Sequence, residues 1–168
     1  MMDRYYYLVA QLPGLQFGRE PLISGEAFLE EAGKWLGRSA LETLRQVRLY
    51  DLSPEPTPSA LYNRFKAFER DFRTELVGWR RALRQEMDVK LSFPASLVRE
   101  GNPLEVERKL LKYRWDRLED EERGHYFDLE TLIVYHLKLQ ILARLAGYDG
   151  ERGFRVFRTI SGHREQRT

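Results

Sequence analysis

The chain has 168 residues, 42% hydrophobic and 12% aromatic, enough for one real core or two very small ones and too many for disorder as the main state. It holds no cysteine, which excludes disulfides and thiolate metal sites and fits a reducing cytoplasm. Lys and Arg number 28 against 26 Asp and Glu, and the net charge by segment is −2 over 1–58, +3 over 59–100, −1 over 101–127 and +2 over 128–168, without the lopsided positive charge of a nucleic-acid or anionic-membrane binder.

The opening run YYYLVAQLPGL, residues 5–15, is the most apolar stretch of the chain. Its unbroken apolar part, Tyr5 to Ala10, is far below the ~18–20 residues that span a bilayer. Asp3 and Arg4 precede it and no small-residue cleavage site follows a proper apolar core, so the run is expected to stay with the folded protein. Short apolar runs are ambiguous by periodicity: Tyr and Val favour a strand, Leu8, Ala10, Gln11 and Leu12 a helix. No partner strand appears elsewhere. The reading is therefore a helix over 2–12 ended by Pro13-Gly14, with a strand added to a partner's sheet as the alternative. Tyr5, Tyr6 and Tyr7 would point in three directions from such a helix, so at least one needs a neighbour outside a two-helix contact.

Ser24 is a good N-cap for a helix through GEAFLEEAGKWLG, with Phe28, Ala32 and Trp35 or Leu36 on its apolar face. A further helix, SALETLRQVRLYDL, is expected from Ser39, with Glu42 in capping-box position and Leu41, Leu44, Val47 and Leu49 on its buried side. The three prolines of SPEPTPS, residues 53–59, cannot continue a helix, which makes 52–58 the candidate subdomain hinge in what is otherwise a single domain over 1–168.

The clearest periodic signal follows. Leu61, Phe65, Phe68, Phe72, Leu76, Trp79 and Leu83 recur at steps of three and four, which predicts one continuous helix over about 59–88, some 45 Å long, that needs an antiparallel partner. Asn102-Pro103 opens a helix presenting Leu104, Leu111, Trp115 and Leu118 and stopping near Gly124. Asp128 caps another, with Leu129, Leu132, Ile133, His136, Leu139 and Ala143 on one side and Gly147 as its end. A last amphipathic piece carries Phe154, Phe157 and Ile160, and SGHREQRT is expected to fray. These elements predict an all-α fold: a bundle of six to seven helices built on long antiparallel hairpins.

Motifs for chemistry are sparse. Glu122 and His125 have the ExxH spacing of half a di-iron site, but Gly124 interrupts it and no second ExxH exists, so no metal is expected. His136 sits among Ile133 and Leu139 and reads as a core histidine with hydrogen-bonded nitrogens. YDGERG, residues 148–153, matches neither GxxxxGK[ST] nor GxGxxG and reads as a turn, and no GxSxG elbow occurs. Neither catalytic residues nor a cofactor site is expected. The long helix does carry a second row beside its apolar seam: Lys66, Arg70, Arg73, Val77, Arg80 and Arg84, with Arg81 adjacent. Arginine is favoured at protein interfaces and phosphate contacts, so Lys66, Arg70, Arg73, Arg80, Arg81 and Arg84 form the candidate interface, against the alternative of a solvated face balanced by Glu69 and Glu75.

The stretches YYYLVAQLPGLQFG, NPLEVERKLLKYRWDRLE, GHYFDLETLIVYHLKLQILAR and GFRVF resemble an uncharacterised bacterial family encoded in V-type ATPase operons, domain of unknown function 2764. YYYLVA and NPLEVE are also loosely similar in style to the helical C subunit that links the central stalk of such ATPases to the membrane rotor, although this chain could supply only about half of that subunit. The resemblance implies a non-enzymatic, cytoplasmic helical subunit or assembly factor of this ion-transport machine. Its partners would be V-type ATPase subunits, and any membrane contact would be peripheral, at the inner face of the plasma membrane, through the complex. A stand-alone helical module for an acidic protein or nucleic acid is the alternative.

Overall fold

The computed structural model describes the backbone of residues 2–164 and the side chains of residues 4–148. Among the described residues the chain is all-helical: α1 (Met2–Gln11), α2 (Gly25–Trp35), α3 (Arg38–Gln46), α4 (Ala60–Arg84), α5 (Ser96–Arg99), α6 (Pro103–Glu122) and α7 (Leu129–Arg164). The opening run is thus a helix. Leu8 is fully buried, while Tyr6 and Tyr7 stay about half exposed, Tyr6 against Phe127 (ring centroids 4.9 Å apart) and Tyr7 stacked on Trp35 (5.8 Å).

The expected caps at Ser24, Asn102 and Asp128 form. Ser24 accepts the Ala27 N–H (3.1 Å), and Asp128 accepts the Thr131 N–H (2.9 Å). Asn102 accepts the Glu105 N–H (2.9 Å) while Glu105 accepts the Asn102 N–H (3.1 Å), a full capping box with Pro103 just inside the helix. The preceding Gly101 sits at φ 96°, and a Cβ there would lie 2.4 Å from the Glu105 carboxylate, so the turn into α6 needs glycine.

Four expectations are corrected. α3 starts at Arg38 after Gly37, so Ser39 lies inside it rather than capping it, and α3 ends at Gln46 rather than Leu52. The backbone beyond Gln46 finds better partners elsewhere: the Tyr62 hydroxyl accepts the Arg48 N–H (2.9 Å), Gln140 accepts the Leu49 N–H (2.9 Å), and Gln140 donates to the Val47 carbonyl (3.0 Å). α7 does not end at Gly147 but runs to Arg164, and YDGERG is helical rather than a turn. A glycine weakens a helix by about 1 kcal/mol without removing an N–H donor, so it permits an end but does not enforce one. The side chains of Phe154, Phe157 and Ile160 lie outside the described residues, as does the end of SGHREQRT.

α7 is the central helix. Leu132, Ile133, Val134, Leu137, Ile141 and Leu142 are all buried, on more than one side, while Ala143 is exposed, unlike in the single-faced pattern. α7 packs on α6, and its Tyr135 hydroxyl donates to the Pro13 carbonyl after α1 (2.6 Å). The main core draws on residues from both sides of 52–58, Leu49 as well as Leu61. A smaller cluster of Phe72, Leu76, Phe93 and Leu110 extends it along α4 and α6. These two helices are antiparallel, because the pairs Arg64–Glu121 and Glu69–Arg114 run in opposite sequence order.

Candidate functional site

The α4 seam buries Leu61, Phe65, Phe72 and Leu76, and past them only Ala82 of this helix is buried. Beyond Leu76 the helix continues for two turns with Val77 53% and Leu83 61% exposed, and Trp79 half-buried. The helix stops where the Met87 N–H reaches back to the Ala82 carbonyl (2.9 Å), with Glu86 left-handed at φ 53°. Met87 is 63% exposed, so apart from buried Ala82 this end of α4 presents its apolar side chains outside the core.

The structure divides the basic row. Lys66 is buried: its Nζ donates to Ser53 Oγ (3.0 Å) and the Glu55 carbonyl (2.9 Å) and lies 3.6 Å from Asp51 Oδ2. Arg70 donates to the Ser53 carbonyl (2.8 Å). The 51–55 loop therefore folds over the first cations of the row and uses them to satisfy its own carbonyls. Arg73 Nε donates to buried Glu69 (3.0 Å). Arg80, Arg81 and Arg84 are exposed and make no ion pair with any described side chain. Arg81 and Arg70 flank a shallow groove of about 730 Å³ with Leu52 and Val77.

A second, smaller cleft of about 360 Å³ opens between the loop after α3 and helices α4, α6 and α7. Tyr50 forms one wall. The guanidinium carbons of Arg73, Arg114 and Arg144 stand 4.9, 5.2 and 6.0 Å from its ring centroid. Arg80 and Glu107 complete the polar lining. Arg114 is buried and binds Glu69 through Nε and Nη2, both at 2.8 Å. Burial opposes its charge, but the bond to Glu69 and that carboxylate's field more than offset it and raise its pKa further. Burial likewise pushes the Tyr50 phenol up, against the fields of Arg114 and Arg144. Sequence spacing pointed to Arg73 and Arg80 but missed Tyr50, Glu69, Arg114 and Arg144 as parts of one cluster. One signal was available: Arg114 occupies a seam position of α6 between Leu111 and Leu118, where a lone apolar stripe would not place a cation.

The other chemical candidates are placed as follows. His125 Nδ1 lies 2.6 Å from Asp128 Oδ2, and Glu122 accepts from Lys138 Nζ (2.9 Å), so the two ends of the ExxH spacing turn to different partners. Among the described residues no group of three or more His, Asp or Glu side chains could hold a metal ion. His136 is a core residue, stacked on Phe28 (5.6 Å), but neither of its ring nitrogens has a hydrogen-bond partner among the described residues, contrary to expectation. Burial first, and the Arg48 charge second, lower its pKa to about 4. No described helix is long and apolar enough to cross a membrane.

Residues 95–167, a little under half of the chain, match a family described as a protein of unknown function (DUF2764). The match takes in α5, α6 and α7, and with them Arg114 and Arg144, but not α4. No curated protein and no solved structure matches the chain.

Proposed function

We propose that the protein is a non-enzymatic helical docking subunit or assembly factor of a bacterial V-type ATPase, one that helps link central stalk and membrane rotor. The observation that carries the docking part is the free end of α4, where Val77, Leu83 and Met87 stand exposed beside Arg80, Arg81 and Arg84. Exposed apolar side chains next to arginine suit a protein partner of acidic, partly apolar surface, because arginine pairs carboxylates while its stem covers apolar area. The helix is continuous from the core to this tip, so force or geometry applied at the tip reaches the bundle without a flexible joint. The ATPase part rests on the resemblance of the opening run and of the α6 and α7 sequences; the family match over 95–167 supports the family half of that resemblance, for α6 and α7 alone.

Arg81→Glu together with Arg84→Glu tests this. Neither side chain holds the fold, so circular dichroism should stay helical while co-purification with the ATPase from membranes of the native host is lost. Retained co-purification removes the α4 tip from the docking surface. A stand-alone module for an acidic protein or nucleic acid draws on the same three arginines; a DNA affinity falling steeply with salt would favour it over the ATPase reading.

A further inference from the structure

The Tyr50 cleft is charged out of proportion to its surroundings. Four guanidinium groups, from Arg73, Arg80, Arg114 and Arg144, meet around it, against the carboxylates of Glu69 and Glu107. They come from three helices, so their convergence is a product of the fold and not of a local basic run.

Their hydrogen bonding is incomplete. A guanidinium has five N–H donors and no acceptor. Arg114, itself buried, commits Nε and Nη2 to Glu69, but its Nη1 makes only a 3.4 Å contact with the Leu110 carbonyl. Arg73 commits Nε alone, to Glu69, and Arg144 commits Nε alone, to the Tyr148 hydroxyl (3.1 Å). Arg80 has no hydrogen-bond partner among the described residues, and neither has the Tyr50 hydroxyl. Like charges gathered with spare donors in a partly desolvated cleft repel one another and attract any group that supplies several acceptor oxygens. The volume, about 360 Å³, is that of a small-molecule site.

We propose that this cleft binds a small, multiply charged oxyanion, phosphoryl or carboxylate in chemistry. Arg114 and Arg73, held by Glu69, are its fixed donors, Arg80 and Arg144 its exposed ones, and Tyr50 its aromatic wall. The bound anion bridges α4, α6 and α7, which supply these arginines. The cleft shares Arg80 with the docking end of α4 but not Arg81 or Arg84, so variants at Arg144 and at Arg81 with Arg84 let either reading fail alone.

Calorimetric titration of the full chain with pyrophosphate and, separately, with citrate tests the site, with ionic strength held constant by potassium chloride. Saturable binding of at least one anion is expected, tighter than ~1 mM, together with a rise in melting temperature. Whichever anion binds more tightly assigns the chemistry as phosphoryl or carboxylate. Arg80→Gln and Arg144→Gln, singly and combined, should each weaken binding, the pair by about tenfold or more, whereas Arg81→Gln with Arg84→Gln should leave it unchanged. Absence of saturable binding to both anions overturns the proposal. So does an affinity unaffected by Arg80→Gln and Arg144→Gln, or one reduced equally by Arg81→Gln with Arg84→Gln, which would mark a diffuse charge effect.

Discussion

His136 makes stability sensitive to mild acid. The residue is 5% exposed, stacked on Phe28 between α2 and α7, with neither ring nitrogen partnered among the described residues and with the Arg48 charge acting against its protonation. The native state therefore keeps the ring neutral down to about pH 4, whereas the unfolded chain protonates it near 6.5. Between these values the unfolded state binds one more proton than the native, so stability is complete above 6.5 and declines as pH falls towards 4. At 1.36 kcal/mol per pKa unit, the loss is about 2 kcal/mol between pH 7 and pH 5 and about 3 kcal/mol by pH 4. Urea unfolding of the wild type and of His136→Leu, followed by circular dichroism across this range, isolates the effect, because carboxylate titrations common to both chains cancel in the difference. His136→Leu should be no less stable than the wild type at pH 7, since it removes two buried polar atoms without partners, and the gap in its favour should widen by about 2 kcal/mol by pH 5. A gap that stays flat would show that the imidazole already carries a proton or a partner in the native fold, and the argument from burial would fail.

Two further outcomes follow from the polar interior. Glu69→Ala leaves Arg114 buried without its carboxylate and should cost about 3–5 kcal/mol in urea unfolding, while Glu69→Met combined with Arg114→Met should recover most of that loss; a single-variant cost below ~1 kcal/mol would refute the pairing as a structural element. Asn102→Ala breaks the capping box at the start of α6 and should lower stability by about 1 kcal/mol with no change in the final helical signal.

The elements whose signals are local could be read directly. The spacing from Leu61 to Leu76 announces α4 because one helix face must be apolar wherever it meets a core. Ser24, Asn102-Pro103 and Asp128 announce helix starts because a side-chain oxygen beside unsatisfied N–H groups acts within three residues. Boundaries set by distant partners were not legible. α3 stops at Gln46 because Tyr62 and Gln140 take the next backbone groups, and those residues lie 14 and 91 positions away from their acceptors or donors. The basic row shows the same limit. Its period places Lys66 through Arg84 on one side of α4, but residues 51–55, which overlap the candidate hinge 52–58, bind Lys66 and Arg70, and Glu69 pairs Arg73, while Arg80, Arg81 and Arg84 stay exposed.

The sequence by itself therefore determined the class, an all-α chain with one long helix and capped hairpins, because helix formation and amphipathicity are decided by residues three and four apart. Only the tertiary structure decided which cations are used up inside, where α4 leaves the core, and that Tyr50, Arg73, Arg80, Arg114 and Arg144 share one cleft. Those outcomes depend on which helices lie against each other, and contacts between residues dozens of positions apart leave no periodic trace along the chain.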